Sequence, residues 1–364
     1  MIKSIVSTSL LSFLISFFST PIVIKLAWRF NLVDNPKTRK HPAHVHKKTL
    51  PRAGGVPIYL GILLSSLFCL PKSKKLIGIL SGATLNVVLG VLDDRQDLSP
   101  YLRLLGNFFA ALLTVGFGLG IAYITNPFGG IIHLDQPRIY FHFLGPHSIW
   151  ILSDLFALIF IVWMTNMVNW SKGVPGQMPG IVTISAIVLG ILSLRYALSD
   201  PQQIPVTLLC FITASSFLGF LPFNFPPQKI IPGYSGGALG GFMLAVLSIL
   251  SFGKLATSFL VLAIPAFDSL FVISKRLLSG KSPVWADRNH LHHKLLDLGF
   301  NFRQISLLYW LSCAILGLVA LHLNSEGKIF AILLVGIVFL GGILWLDRFL
   351  ALSKHSGPNS GLKT

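Results

Sequence analysis

Three aspartates, Asp93, Asp94 and Asp97, close an apolar run in the segment Val91-Leu-Asp-Asp-Arg-Gln-Asp-Leu98. On a continuing helix Asp93 and Asp97 are four apart and Asp94 and Asp97 three apart, so their carboxylates share a face. A helix C-terminus carries partial negative charge and disfavours carboxylates. Compensation can come from Arg95 or Arg103. It can also come from a divalent ion held between carboxylates and phosphate oxygens, as Mg²⁺ commonly is.

Two basic segments offer the complementary chemistry. The first reads Arg39-Lys-His-Pro-Ala-His-Val-His-Lys-Lys-Thr-Leu-Pro-Arg-Ala-Gly-Gly55. Its histidines, its lysines and Arg52 beside Gly54-Gly55 suit a phosphate group that backbone can approach closely. The second, Lys281-Ser-Pro-Val-Trp-Ala-Asp-Arg-Asn-His-Leu-His-His-Lys294, puts His290, His292 and His293 beside Asp287 and Arg288. Binding of a diphosphate or proton transfer fits this set better than zinc. Asn166 and Asn169 lie in Thr165-Asn-Met-Val-Asn-Trp-Ser-Lys-Gly-Val-Pro-Gly-Gln-Met178, and Asn224-Phe-Pro-Pro-Gln-Lys-Ile-Ile-Pro-Gly-Tyr-Ser-Gly-Gly237 is a further polar loop. Each of these two alone reads equally as a Pro/Gly-rich turn.

The elements that position these loops are membrane helices. Of 364 residues 53% are hydrophobic and 11% charged, too little charge for a soluble surface. Roughly 20 apolar residues span a bilayer, and such runs recur over Ile5–Ala27, Gly54–Leu70, Leu76–Leu92, Leu102–Ile124, Ile149–Val168, Gly180–Leu198, Ile204–Leu221, Ala238–Phe252, Ala256–Ile273, Ile305–His322 and Ile329–Leu346. The expected fold is an all-α integral membrane protein, a polytopic helical bundle of eleven spans over residues 1–352. A short external β-hairpin is expected at Ile131–Leu144, and a disordered cytosolic tail from Ser353.

The first span lacks a cleavage site and its basic residues, Lys25 and Arg29, follow the apolar core, so it reads as retained with the N-terminus outside. Of the 29 Lys and Arg, 21 then face the cytosol, as the positive-inside rule asks. All five polar segments above fall on that face. The net charge of +17 is accounted for by topology and anionic lipid, without nucleic acid. Cys69, Cys210 and Cys313 lie in apolar spans with no metal spacing. A transporter would carry ionisable groups near the midplane; here Asp268 and Asp154 are the candidates.

Taken in order, these segments resemble the polyprenyl-phosphate N-acetylhexosamine-1-phosphate transferase family over about Asp34 to Gly299. The matching pieces are His46-Lys-Lys-Thr-Leu-Pro-Arg-Ala-Gly-Gly55, Asp93-Asp-Arg-Gln-Asp97, Asn224-Phe-Pro-Pro-Gln-Lys229, Pro265-Ala-Phe-Asp268 and Asp287-Arg-Asn-His-Leu-His-His293. The resemblance implies transfer of a sugar-1-phosphate, GlcNAc-1-phosphate first, from a UDP-amino sugar to polyprenyl phosphate with release of UMP. A UDP-muramyl peptide is the alternative donor, and a homodimer is left open.

The resemblance also implies roles for single residues. Asp93 and Asp94 would be catalytic or hold Mg²⁺ (Mn²⁺ as the alternative), His290, His292 and His293 would contact donor phosphates, and Arg52 the lipid phosphate. Lys47, Lys48, Asp97, Asn166, Asn169, Lys172, Asn224, Lys229, Asp268, Asp287 and Arg288 would complete the substrate site. Three positions depart from the pattern: Lys172, Pro175 and Tyr234 stand where the family has Asp. Lys172 in an active enzyme would neutralise the diphosphate directly; the competing reading is an inactive relative that binds lipid phosphate or a partner.

Overall fold

The computed structural model describes residues 1–38, 45–126, 129–142, 146–251, 255–285 and 287–355. The long apolar runs become helices because in lipid each peptide group must find its partner within its own segment. The chain runs α1 (Ile2–Arg29), β1 (Val33–Asp34), β2 (Leu50–Pro51), α2 (Gly55–Cys69), α3 (Lys74–Gln96), α4 (Pro100–Gly116), β3 (Tyr123–Thr125), β4 (Ile131–His133), β5 (Arg138–His142), β6 (Pro146–Trp150), α5 (Ile151–Trp170), α6 (Gln177–Tyr196) and α7 (Gln203–Asn224). It continues through α8 (Gly233–Leu250), α9 (Leu255–Val261), α10 (Ala263–Leu278), α11 (Leu291–Asp297), α12 (Phe302–His322) and α13 (Ser325–His355).

Every expected span overlaps a helix. Among the described residues eight helices are long and apolar enough to cross a bilayer; α9 and α10 pass the same test only as a pair, bent by 83° as in a broken span or a re-entrant loop. α2 and α4 are shorter, at 15 and 17 residues. The chain is a multi-pass membrane protein.

Three boundaries differ from expectation. The fourth span does not reach Ile124: α4 stops at Gly116, Gly118 turns at φ +92°, and Tyr123–Thr125 is strand. The hairpin expected over Ile131–Leu144 straddles two hairpins. β4 pairs back with β3, closed by Gly129 and Gly130 at positive φ, while β5 pairs forward with β6. α13 continues to His355, beyond the expected start of the tail at Ser353, and residues 356–364 lie outside the described residues. Asp154 is not deep in a span either; it accepts from the Trp150 N–H at 3.0 Å in the first turn of α5.

α8 is the axis of the bundle. It is buried along nearly its whole length and packs against α2, α3, α5, α6, α7 and α9. α1 and α13 lie outside, with Val6, Leu10, Leu14, Phe18 and Ile22 of α1 exposed along one stripe, as a lipid-facing surface requires. The inner stripe of α1 is small and polar: Thr8, Ser12, Ser16 and Thr20 are buried. Ser12 Oγ donates to the Ile212 carbonyl of α7 at 2.7 Å, a small-residue contact of the kind that joins helices in membranes.

Candidate active site

The backbone first positions Arg52. β1 and β2 pair antiparallel, Val33 with Pro51 and Asp34 with Leu50. Arg52 N–H then donates to the Leu32 carbonyl, and Ile231 N–H to the Pro51 carbonyl, both at 2.8 Å. The first loop is thereby fastened to the loop that starts α8. Pro51 and Arg52 are buried, and the guanidinium reaches from Asp34 (3.7 Å) to Asp94 (3.1 Å). Burial works against the Arg52 charge, but Asp94, Asp34 and Asp93 outweigh it and hold the proton more firmly than usual.

The awkward carboxylate at the end of α3 is resolved by a second helix. Asp94 sits against the N-terminus of α8, where a carboxylate is favoured. It accepts from Tyr234 N–H at 2.8 Å, Ser235 Oγ at 2.8 Å, Ser235 N–H at 3.4 Å and Arg52 Nε at 3.1 Å. Asp93 Oδ1 accepts from Arg103 Nε at 2.6 Å, and Asp97 Oδ1 from Arg103 Nη2 at 2.8 Å. The compensating cations are therefore Arg103 on α4 and Arg52; Arg95 is exposed. Asp93 Oδ2 accepts no hydrogen bond from the described residues, although it is buried and Arg52 Nη2 lies 4.0 Å away.

Lys172, in the loop after α5, reaches the same place. Its Nζ donates to Asn169 Oδ1 at 2.6 Å and to the Gly233 carbonyl at 3.1 Å, and stands 5.5 Å from the centre of the Tyr234 ring. Tyr234 in turn donates its hydroxyl to Asn107 Oδ1 at 3.1 Å.

The histidines form the opposite wall. Asp268 on α10 accepts from Leu291 N–H and meets His290 Nδ1, each at 2.8 Å, which fixes the start of α11. His290 and His292 stack at 5.5 Å, and His292 and His293 lie 4.4 Å apart. Burial pushes His292 well below the ordinary imidazole value, with His293 and His290 adding to it. Burial and Arg288 push His293 down to about 4. Both rings are neutral at pH 7, and neither Nδ1 has a partner among the described residues. They can serve a phosphate oxygen as hydrogen-bond donors rather than as cations. Beside them Arg276 Nε donates to Asp287 Oδ2 at 2.8 Å. Burial opposes the Asp287 charge, but the bonds from Arg276 and Asn289 prevail and hold the carboxyl at about 2.

A neutral buried histidine makes stability depend on pH with a definite sign. The folded value of His293 lies below the unfolded one, so protons bind the unfolded chain preferentially between about pH 6.5 and pH 4. Stability present above that window is lost as pH falls through it, by roughly 3 kcal/mol at full extent. Thermal midpoints in nanodiscs should fall across this window for the wild type and fall less steeply for His293→Asn, with His292 still contributing. An unchanged slope in the variant would contradict the assignment.

These groups surround one cavity of about 560 Å³, lined by Asp34, His46, Arg52, Asp93, Asp97, Arg103, Asn169, Lys172, Gln228, Arg276, Asp287, His290, His292 and His293, with Trp170 and Trp285 as aromatic walls. That volume suits a nucleotide-sized ligand. Asp94 and Asp268 lie behind the wall and hold its members. Other expected residues are elsewhere. Lys47, Lys48 and Lys229 are exposed and do not line the cavity. Asn166 bonds back to the Val162 carbonyl, and Asn224 clamps Gly176 N–H and the Ile230 carbonyl. Arg288 pairs with Asp297 at 3.2 Å away from the cavity lining. Residues 39–44, with His41 and His44, and Ala286 lie outside the described residues. Gln228, Arg276 and Trp170 were not singled out by sequence; the signal for Arg276 is a basic residue at the end of a span that no solvated loop requires.

The protein's own donors already occupy much of the carboxylate cluster. Both oxygens of Asp94 are engaged by protein donors, Asp93 offers one oxygen, and an ammonium stands close by. Among the described residues no three His, Cys, Asp or Glu side chains are arranged to hold a metal.

A helical multi-pass protein with a charged, nucleotide-sized basin at one end defines the class. Glycosyl transferase family 4 matches residues 76–252. The chain is 31% identical over 329 residues to the "Probable undecaprenyl-phosphate N-acetylglucosaminyl 1-phosphate transferase" of Bacillus subtilis, covering 88% of this chain and 85% of that one. It is 30% identical to the decaprenyl-phosphate N-acetylglucosaminephosphotransferase of Mycolicibacterium smegmatis, over 85% and 80% of the two chains. A third relative, the undecaprenyl-phosphate alpha-N-acetylglucosaminyl 1-phosphate transferase of Thermotoga maritima, is 29% identical, over 77% and 78%. The chain belongs to glycosyl transferase family 4.

Proposed function

We propose that this chain transfers GlcNAc-1-phosphate from UDP-GlcNAc to a polyprenyl phosphate at the cytosolic face, with the N-terminus outside. The observation that carries the reading is the convergence of Arg52, Asp93, Lys172, His292 and His293 on one cavity at a single end of the bundle. A phosphate oxygen of the lipid attacks the β-phosphorus of the donor; the bond to the α-phosphate oxygen breaks and UMP leaves. With a dianionic acceptor, charge balances without a proton transfer, so no general base is required. The protein's task is then positioning and charge neutralisation. Lys172, His292 and His293 would face the donor diphosphate, and Arg52 the acceptor phosphate. Asp93 and Asp94 hold Arg103 and Arg52 in place.

The test is UMP release by purified protein given UDP-GlcNAc and undecaprenyl phosphate, with an Arg52→Gln variant alongside. The reading expects turnover in the wild type and a loss of about 100-fold or more in the variant. A second reading, a lipid-phosphate-binding protein without turnover, is favoured by the full engagement of Asp94. Folded wild type that releases no UMP from any UDP-amino sugar would select it.

A further inference from the structure

Lys172 brings an ammonium to the lining of the basin. Lys172 is held by two acceptors, Asn169 Oδ1 and the Gly233 carbonyl, against an aromatic ring. Its third N–H hydrogen is left for a ligand among the described residues, and the side chain lines the cavity. The positions of Lys172 and Tyr234 are not independent. The ring of Tyr234 has two cations near it, Lys172 at 5.5 Å and Arg103 at 5.4 Å from its centre. Its backbone N–H meanwhile holds Asp94 at 2.8 Å. The site thus gathers basic groups where its carboxylates lie.

We propose that the Lys172 ammonium, seated on Asn169, the Gly233 carbonyl and the Tyr234 ring, supplies the charge that binds a nucleoside diphosphate, so that this chain holds its donor without a divalent cation. The proposal rests on the donor reading above. Two further observations support it. Asp94 has no oxygen to give a metal, since Arg52, Tyr234 and Ser235 take both. Burial also pulls the Lys172 ammonium down to about 7, Arg52 and Arg103 adding to that and Asp94 and Asp93 opposing it. An empty site therefore holds this proton loosely, and an arriving diphosphate fixes it.

The experiment measures binding of UDP to the full-length protein in nanodiscs by calorimetry, in EDTA and in Mg²⁺. Wild type is expected to bind in EDTA within about threefold of its affinity in Mg²⁺, and Lys172→Met to lose about 30-fold or more in both buffers. Binding by wild type in Mg²⁺ alone would overturn the proposal, as would unchanged affinity of Lys172→Met in EDTA. Should Lys172→Met fail to fold, the wild-type comparison decides alone. A double variant, Lys172→Asp with Tyr234→Asp, should require Mg²⁺ for UDP binding.

Turnover by wild type in the same two buffers separates this proposal from the donor reading. Turnover together with UDP binding restricted to Mg²⁺ sinks the metal-free proposal and keeps the transferase. UDP binding in EDTA without turnover in either buffer keeps the proposal and sinks the transferase. Failure to bind UDP in either buffer sinks the proposal.

Discussion

Gly90→Ala is expected to destabilise the protein by about 3 kcal/mol or more, through overpacking against rigid backbone. A Cβ at Gly90 would lie 2.3 Å from Ser235 Cα and 2.6 Å from Ser235 N. Gly55 presses from the other side, where a Cβ would lie 2.4 Å from Gly236 N and from the Ser235 carbonyl carbon. The first turn of α8 is therefore held between α2 and α3 with no room for a methyl group. α3, which carries Gly90, cannot retreat without pulling Asp94 from the α8 N-terminus, so activity should fall with stability. Gly116→Ala is the control. A Cβ there meets nothing within 4 Å, and replacing a helical glycine should stabilise by up to about 1 kcal/mol. Thermal midpoints of the two variants in one detergent check the contrast. A Gly90→Ala midpoint equal to wild type would contradict the close packing.

Asp94→Ala carries the second large effect. The substitution orphans Tyr234 N–H, leaves Ser235 Oγ only the Pro232 carbonyl at 3.4 Å, and leaves the buried Arg52 guanidinium with Asp34 at 3.7 Å and Asp93 at 4.0 Å. Breaking a buried ion pair from one side costs about 3–5 kcal/mol, because the remaining charge loses its partner. Turnover should fall by about 100-fold or more as Arg52 loses its place. Asp93→Asn gives a useful comparison. Its Oδ2 accepts no hydrogen bond from the described residues, so the amide should cost less stability than Asp94→Ala. Equal stability losses in the two variants, by chemical denaturation, would show that Asp94 is not the anchor.

Much of the bundle is legible in the amino-acid sequence because lipid imposes one rule on every span. The exceptions are places where hydropathy does not see the backbone. Ala122–Ile124 is as apolar as the helix before it, yet the chain has already turned at Gly118 and paired as strand. The chemistry was legible as residue types gathered on one face: Asp93, Asp94, Arg52, His46, His290, His292 and His293 all reach the basin or its supporting wall. Roles within that set were not. Helical spacing cannot say whether Arg95 or Arg103 neutralises Asp93, since the answer depends on where α4 returns. Nor can it separate Asn169, which holds Lys172, from Asn224, which ties a loop together. Lys229 and Gln228 are neighbours, and the neutral one lines the cavity while the lysine is exposed.

The departures at Lys172 and Tyr234 gain meaning from being adjacent in space. Read singly, each is a lost carboxylate. Together they place a lysine ammonium against an aromatic face, with Asn169 and a main-chain carbonyl completing its seat. Charge neutralisation can thus remain although carboxylates are missing. Pro175 has a different part: its carbonyl accepts from Ser306 Oγ at 2.8 Å, tying the same loop to α12.

The central claim is tested most directly by following one phosphorus atom. UDP-GlcNAc labelled at the β-phosphate is incubated with the purified protein and undecaprenyl phosphate, and the lipid and aqueous phases are separated. Transfer of sugar-1-phosphate predicts labelled lipid diphosphate together with unlabelled UMP. Label remaining in the aqueous phase as UDP, or as intact donor in folded protein, would contradict the account.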